Sequence, residues 1–359
     1  SSSLPTSSIS ANTLILDPRE GQILALVTAG TSQQNQLTNL KHSPGTILTP
    51  LLYFSSFSRG SSPATMVWDI PANIPATYTD KQSEIESFNG PVSLRSSLAN
   101  DYMGPALQIL TQMGAEQVWH DAERLGLTEL QLPPVNGGNR ILFEDGKADI
   151  SELSQVYGVF ANQRVLAGIP QNNASDDDPN APIDPQVILK VLDEAGNEIL
   201  DCTDPITDCH TTRWPVTTKE LAYLVTDALK DETARWPSLG HPNPLEIGRP
   251  AAAKIGTSNN QSELWTIGYT PEILSAVWVG PENSTNDIAL NPELATGLWH
   301  AVMQYASKEL PTNDFMIPPS INEVEVCYPS GLIPSDECPK IVDEIFIQGN
   351  EPTQTDNLF

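Results

Sequence analysis

The chain has 359 residues, of which 39% are hydrophobic and 18% are charged, and its formal net charge at pH 7 is -27. These values are typical of a globular protein with one large domain or two smaller ones. The negative charge argues against binding to nucleic acid or to an anionic membrane surface, because both require a cationic face. No apolar run is long enough to span a bilayer, so any membrane anchor is expected in a segment outside this chain.

The first part of the chain is predicted to form a linker, a hairpin and a helix. Residues 1–10 are rich in serine, which is typical of a linker. Two apolar runs around a Pro- and Gly-containing turn then predict a β-hairpin over residues 13–27. The turn-forming dipeptide Pro44-Gly45 is followed by an apolar run, which predicts a helix over residues 46–57.

Thr46 opens this predicted helix, and its hydroxyl group has two interpretations. It can be a plain N-cap that accepts a backbone N–H. It can also be a nucleophile, because the backbone N–H groups and the dipole at a helix N-terminus favour developing negative charge. For this segment the plain N-cap is the favoured interpretation.

The middle of the chain, from about residue 59 to about residue 229, is predicted to be an all-helical insertion, with one short hairpin over residues 186–200. An acidic loop over residues 172–185 contains three consecutive aspartates but lacks the alternating ligands of a calcium-binding loop. The five histidines are not spaced as metal ligands. We therefore expect neither a metal nor another cofactor.

Three strands are predicted near the end of the chain, over residues 252–256, 264–268 and 274–280, and a last helix over residues 293–310. Together with the N-terminal hairpin, these strands predict one antiparallel five-stranded sheet flanked by helices. The fold class is therefore mixed α/β (α+β), with a domain over residues 11–310. Residues 311–359 are predicted to be a C-terminal extension whose polar end is disordered.

The four cysteines form two local pairs, Cys202 with Cys209 and Cys327 with Cys338. An even number of cysteines in short loops predicts two disulfides and an oxidising compartment. Buried free thiols are an alternative. A zinc site formed by the first pair and His210 is another, although a fourth ligand is not apparent.

Six segments of the chain form a recognisable series when they are taken in order. They are residues 16–27, 43–50, 89–106, 156–162, 254–280 and 327–352. In this order they resemble the transpeptidase domain of class A penicillin-binding proteins over nearly the whole chain. The resemblance implies a transpeptidase-like fold, a location at the cell surface or in the periplasm, and a preceding glycosyltransferase domain as one possible context.

The resemblance also implies the chemistry of the family, which is acyl transfer. A serine at a helix N-terminus attacks the penultimate D-alanine carbonyl of a peptidoglycan stem peptide, or a β-lactam. A lysine one helical turn later removes the serine proton, because residues three apart share a helix face. A Ser-x-Asn loop supplies a second proton relay and a substrate-binding amide, and a Lys-Thr-Gly strand binds the terminal carboxylate.

This chain departs from the family at the first two motifs. Thr46 occupies the position of the nucleophile, and Thr49 occupies that of the lysine. Asp101 and Met103 stand in place of the loop serine and asparagine. A threonine cannot accept a proton near neutral pH, and loss of a positioned base typically costs a factor of about 10²–10⁴ in rate.

The third motif is partly kept, since Lys254, Gly256 and Thr257 match the family pattern while Ile255 replaces the hydroxyl residue. The resemblance makes the three matching residues the candidates for substrate binding. Ile255 removes a hydrogen-bond donor to the substrate carboxylate, so that Lys254 is expected to be its sole cationic partner.

The leading hypothesis is a catalytically inactive pseudo-transpeptidase with a binding or scaffolding role, whose partner would be an active cell-wall synthase. The alternative is a slow or specialised acyl-transfer enzyme that uses Thr46 as nucleophile and Asp101 as base. A third hypothesis is a cleft that binds peptidoglycan stem peptides without covalent chemistry, in which Lys254 holds an anion.

Overall fold

The computed structural model describes most of the chain. The described residues are 9–30, 40–76, 87–133, 136–143, 146–171, 182–204, 207, 209–258, 261–282 and 289–358. The acidic loop of residues 172–185 lies outside this set up to residue 181.

The described residues form sixteen strands and nine α-helices. The strands are β1 (Ile9–Asp17), β2 (Gln22–Ala29), β3 (Lys41–His42), β4 (Met66–Asp69), β5 (Gly90–Ser93), β6 (Ala148–Asp149), β7 (Val165–Pro170), β8 (Ile183–Asp184), β9 (Lys190–Leu192), β10 (Glu198–Asp201), β11 (Thr212–Pro215), β12 (Ala252–Thr257), β13 (Leu264–Tyr269), β14 (Leu274–Pro281), β15 (Ile321–Cys327) and β16 (Ile341–Ile347). The helices are α1 (Thr49–Phe57), α2 (Leu94–Ala99), α3 (Met103–Met113), α4 (Ala115–Arg124), α5 (Gly137–Arg140), α6 (Ile150–Ala161), α7 (Lys219–Lys230), α8 (Glu232–Leu239) and α9 (Glu293–Ser307).

The central element is an antiparallel five-stranded sheet with the strand order β12-β13-β14-β1-β2. The sheet joins the N-terminal hairpin to the three late strands, which confirms the predicted mixed α/β fold. All six residues of β13 are buried, because helices cover both faces of the sheet. Helix α6 packs on one side of β14, within the main core, and α9 packs on the other through Trp299 and Met303.

Helix α1 passes through the centre of the main core. A 3₁₀ turn over Gly45–Leu48 leads directly into it, and every residue from Gly45 to Phe57 is buried. Helices α3, α4 and α7 surround α1, so that it has no solvent-facing side. The start of α1 is therefore held rigidly against the sheet.

The predicted insertion over residues 59–229 is not all-helical, and this prediction is wrong. Strands β4 to β11 lie within it, and β7 pairs with both β8 and β11. Apart from β9 and β10, these strands have two to six residues and no tight turn joins them to their partners, so they leave little local periodicity. The predicted hairpin is present as β9 and β10.

The described residues near both ends of the chain form more regular structure than predicted. Ile9 and Ser10, which were assigned to the linker, begin β1 and lie opposite Pro281 and Gly280 of β14. The C-terminal extension contains the hairpin β15–β16, and Ile333 bridges to Thr355 near its end. The prediction of a disordered tail is therefore wrong, because backbone pairing orders a polar segment that has no apolar pattern of its own.

Two disulfides join Cys202 to Cys209 and Cys327 to Cys338, with Cα–Cα distances of 4.9 Å and 5.7 Å. This confirms the predicted pairing, and the alternatives of free thiols and of a zinc site with His210 are wrong. None of the described helices is long and apolar enough to cross a membrane.

Candidate functional site

The candidate site lies where the 3₁₀ turn meets the outer strand β12. Gly45 has a φ of +51°, and a Cβ atom at this position would lie 1.9 Å from the carbonyl oxygen of Thr257. A Cβ on Gly256 would lie 2.5 Å from the backbone nitrogen of Ile47. Glycine at both positions therefore allows the turn and the strand to touch.

The Thr46 side chain is buried, and both of its hydrogen-bonding roles are used. Its hydroxyl donates to Asp101 Oδ2 at 2.6 Å. The same oxygen accepts the backbone N–H of Thr257 at 3.0 Å. It caps no helix, since Leu48 is the N-cap residue of α1 and no side chain caps that helix or the 3₁₀ turn. The interpretation of Thr46 as a plain N-cap is therefore wrong.

Asp101 links this hydroxyl to Lys254. Lys254 Nζ donates to Asp101 Oδ1 at 2.6 Å and to the carbonyl oxygen of Ile255 at 2.7 Å. The Lys254 side chain is 2% exposed and that of Asp101 is 17% exposed, so the ion pair is largely desolvated. Asp101 has a φ of +58°, a left-handed conformation that aspartate tolerates better than most residues. The result is a row of hydroxyl, carboxylate and ammonium groups.

Thr49 and Met103 take no part in this row. The Thr49 hydroxyl donates to the carbonyl oxygen of Thr46 at 2.9 Å, a side-chain-to-backbone bond within one helical turn. Met103 begins α3, and its half-buried side chain packs against the main core. Neither side chain can replace the amine or the amide of the family motifs.

The residues of the third motif lie beside Thr46, as the resemblance implies. Lys254 and Gly256 lie on β12, and Thr257 ends that strand. Ile255 is half-buried and packs against the apolar residues around Trp299 and Met303, on the side of the sheet covered by α9. Its side chain therefore serves the core, while Lys254 serves the ion pair.

Three further side chains hold the backbone around Thr46 and a fourth orients one of them, and no sequence motif assigned them this role. Tyr157 donates to the carbonyl oxygen of Ile47 at 2.8 Å, and Trp265 Nε1 donates to that of Ser43 at 2.8 Å. Glu263 Oε2 accepts the N–H of Ser43 at 3.0 Å. Glu263 Oε2 also accepts a hydrogen bond from the Nε1–H group of Trp278 at 2.9 Å, which orients the glutamate.

Two buried tyrosines near the site remain protonated. Burial raises the pKa of Tyr53 above its ordinary value, and the negative charge of Asp101 raises that pKa further. Burial likewise raises the pKa of Tyr157. Neither phenol is therefore suited to accept a proton from Thr46 near neutral pH. Among the described residues, no group of three or more His, Cys, Asp or Glu side chains is placed to hold a metal ion.

Comparisons with known proteins agree with the geometry of the fold. The chain is 25% identical to penicillin-binding protein 1A of Aquifex aeolicus over 94% of its own length and 43% of that protein. It is 24% identical to the protein of the same name from Pseudomonas aeruginosa, over 96% of its length and 46% of the relative. A family model described as the C-terminal domain of penicillin-binding protein 1A matches residues 317–359.

Solved structures decide the fold. Penicillin-binding protein 1A from Haemophilus influenzae superposes with a TM-score of 0.76 at 19% identity, over 97% of this chain and 54% of that one. PonA1 from Mycobacterium tuberculosis superposes with a TM-score of 0.65 at 18% identity, over 86% of this chain and 80% of that one. The chain has the fold of a class A penicillin-binding protein transpeptidase domain.

The resemblance found from the motifs is thus confirmed at the level of the fold. The chain spans less than half the length of the curated relatives it matches. Within the penicillin-binding-protein fold, Thr46, Asp101 and Lys254 meet at the start of α1, where the resemblance places the nucleophile.

Proposed function

We propose that this chain is the transpeptidase-like domain of a cell-wall synthesis protein, that it acts outside the cytoplasm, and that it does not perform acyl transfer. The likeness to proteins named penicillin-binding protein 1A supports the context. The observation that carries the proposal of inactivity is that Thr49, in the position of the family's lysine, donates its hydroxyl to the carbonyl oxygen of Thr46 and so offers no proton acceptor to the Thr46 hydroxyl.

A nucleophilic hydroxyl needs a proton acceptor within hydrogen-bond distance. Thr49 stands one turn after Thr46 and is itself a hydroxyl donor to the backbone. The carboxylate of Asp101 is within reach, but its other oxygen is already held by Lys254 Nζ at 2.6 Å. A carboxylate also holds a proton much less strongly than the neutral amine that the family uses. Proton transfer from Thr46 is therefore unfavourable.

The same ion pair opposes the hypothesis that Lys254 holds an anionic ligand. Its side chain is 2% exposed, and its charge is balanced by a carboxylate at 2.6 Å. A ligand carboxylate would have to displace Asp101 and enter a site that already carries a negative charge. We therefore assign the domain a binding or scaffolding role that does not use this lysine, beside an active cell-wall synthase.

One observation favours a second candidate function, which is slow acyl transfer by Thr46. The 2.6 Å bond from its hydroxyl to Asp101 is the arrangement of a nucleophile and its base. In this mechanism Thr46 Oγ1 attacks a peptide carbonyl carbon, its proton passes to the carboxylate, and the leaving amine takes up that proton. Water then hydrolyses the threonyl ester.

Turnover of a D-Ala-D-Ala peptide or thioester separates the two functions. We expect the wild type and Thr46→Ala to release D-alanine or thiol at the same background rate, while an active penicillin-binding protein run in parallel confirms the assay. A wild-type rate at least tenfold above that of Thr46→Ala would overturn the proposal of inactivity and support the second function. Thermal-shift measurements with muropeptides test non-covalent binding, and a shift that Asp101→Asn increases would restore Lys254 as a ligand site.

A further inference from the structure

The hairpin β9–β10 carries the densest cluster of exposed apolar side chains in the described part of the chain. Twenty large apolar residues are exposed in all, and six of them fall within residues 187–200. They are Val187, Ile188, Leu189, Leu192, Ile199 and Leu200, with exposed fractions of 67%, 55%, 37%, 52%, 67% and 38%. Exposed apolar groups at this density indicate an interaction surface.

The two faces of this hairpin differ in chemistry. Directly opposed residues of neighbouring strands lie on one face, so the pairs Lys190–Asp201 and Leu192–Glu198 share the charged face, and Val191 shares the other face with Leu200. Lys190 also pairs with Glu198. Hydrogen bonds from Lys190 lower the pKa of Asp201 to about 2, so the polar face keeps its charges over the physiological range. The other face carries Val191 and Leu200, and neither side chain packs into a hydrophobic core of the described residues.

Hydrogen bonds and a disulfide fix the hairpin at its base, and hydrogen bonds fix its tip. Gln186 pairs with the β1–β2 turn, since its N–H donates to the carbonyl of Gly21 at 2.8 Å. The disulfide from Cys202 to Cys209 closes the other arm, and Cys202 N–H donates to the carbonyl of Leu189 at 2.8 Å. At the tip, Asp193 accepts the N–H groups of two residues of its own turn. An apolar face on a fixed support requires little ordering when it binds.

The strands β9 and β10 form a sheet of two, in which each has an outer edge among the described residues. Such an edge presents N–H and C=O groups that can add a further strand. Ile199 lies in the bulge between Glu198 and Leu200 of β10, and its side chain is 67% exposed. An added strand would meet both backbone groups and apolar side chains.

The charge around the hairpin selects the partner. Residues 187–204 contain five carboxylates (Asp193, Glu194, Glu198, Asp201, Asp204) and one lysine (Lys190), a formal net charge of -4. The whole chain has a net charge of -27, so a second copy would be repelled, as would an anionic membrane surface. A partner with lysines or arginines around an apolar strand would be attracted.

We propose that the β9–β10 hairpin docks a partner protein by accepting an extended strand that is apolar on one face and flanked by lysine or arginine. The proposal is independent of whether Thr46 is catalytic, because the hairpin shares no residue with the candidate site.

Fluorescence anisotropy with synthetic strands tests this docking surface. The probes are three fluorescein-labelled heptapeptides: alternating Lys and Val, alternating Lys and Ser with the same charge, and alternating Glu and Val with the opposite charge. We expect the Lys-Val peptide to bind the wild type at least tenfold more tightly than either of the other two. The double substitution Ile199→Ser/Leu200→Ser should weaken this binding at least tenfold.

The matched control is Leu294→Ser/Leu298→Ser, which removes two exposed leucines from α9. This variant should bind the Lys-Val peptide like the wild type, and thermal melts confirm that both variants fold. Equal binding of the Lys-Ser peptide would show charge attraction alone and overturn the proposal, as would absence of binding. A wild-type dimer in sedimentation that the hairpin variant abolishes would identify a second copy as the occupant and also overturn it.

Discussion

The substitution Asp101→Asn removes the negative charge that balances Lys254 while it keeps the size of the side chain. Asparagine also tolerates the left-handed backbone conformation at this position, where φ is +58°. An amide can still accept a hydrogen bond from Thr46. The change therefore isolates the ion pair from the effects of shape and backbone strain.

The size of the effect follows from burial. Breaking a buried ion pair by removing one partner costs about 3–5 kcal/mol, because the other charge is left uncompensated. Lys254 is 2% exposed, but Asp101 is 17% exposed and water can reach it, so the lower end of that range applies. We expect the free energy of unfolding to fall by about 3 kcal/mol and the melting temperature by about 4 °C, since a chain of 359 residues unfolds with an entropy of about 2.1 cal/mol/K per residue.

Chemical denaturation measures this change, and a double-mutant cycle with Lys254→Met assigns it to the pair. The double variant should lose less stability than the sum of the two single variants, with a coupling of at least about 2 kcal/mol. A loss below about 0.5 kcal/mol for Asp101→Asn would refute the reasoning, since this is the range of ordinary surface substitutions.

Three further predictions concern the turn, the extension and the pH dependence. Gly60→Ala places a side chain at a positive φ in open space and should lower the free energy of unfolding by about 1–2 kcal/mol. In denaturant melts Gly45→Ala should lower it by at least twice as much, because the added Cβ would also clash with the carbonyl oxygen of Thr257. Arg95 forms ion pairs with Asp227, Asp231 and Glu344 of β16. Arg95→Met should therefore lower the free energy of unfolding by about 3 kcal/mol and raise hydrogen exchange in β16. Arg19→Met removes a more exposed pair and should lower it by less than about 1 kcal/mol, and similar losses for the two variants would contradict this prediction. The Ser320 hydroxyl lowers the pKa of Glu220, so this contact stabilises the fold above the ordinary pKa of 4.5 and is lost as the pH falls through the lowered value. The stability difference between the wild type and Glu220→Gln should therefore shrink on acidification from pH 7, and a constant difference would count against it.

The parts of the fold with long, periodic patterns were predictable from the sequence. The buried face of α6 and the apolar strands β12, β13 and β14 have clear signals, and their order predicts the five-stranded sheet. Strands such as β7 and β11 were missed because they are short and pair with each other across a long stretch of sequence. The end of the C-terminal extension was missed because its order comes from backbone pairing.

The candidate site was predictable in its positions but not in its contacts. The resemblance placed Thr46 and Lys254 in one cleft, and it identified Asp101 as the nearest candidate base. Asp101 also pairs with Lys254, which lies 153 residues later in the chain. This pairing depends on the contact between β12 and the 3₁₀ turn that carries Thr46. No local pattern reports such a contact, and the same is true of Tyr157 and Glu263.

The most direct test of inactivity is the intact mass of the protein after prolonged exposure to an excess of fluorescent penicillin. The ring-opened β-lactam would remain as an ester on a competent hydroxyl, so the mass reports the first chemical step without the need for turnover. We predict that the wild type and Thr46→Ala keep the same unmodified mass. A stoichiometric adduct on the wild type that maps to Thr46, and is absent from Thr46→Ala, would contradict the account.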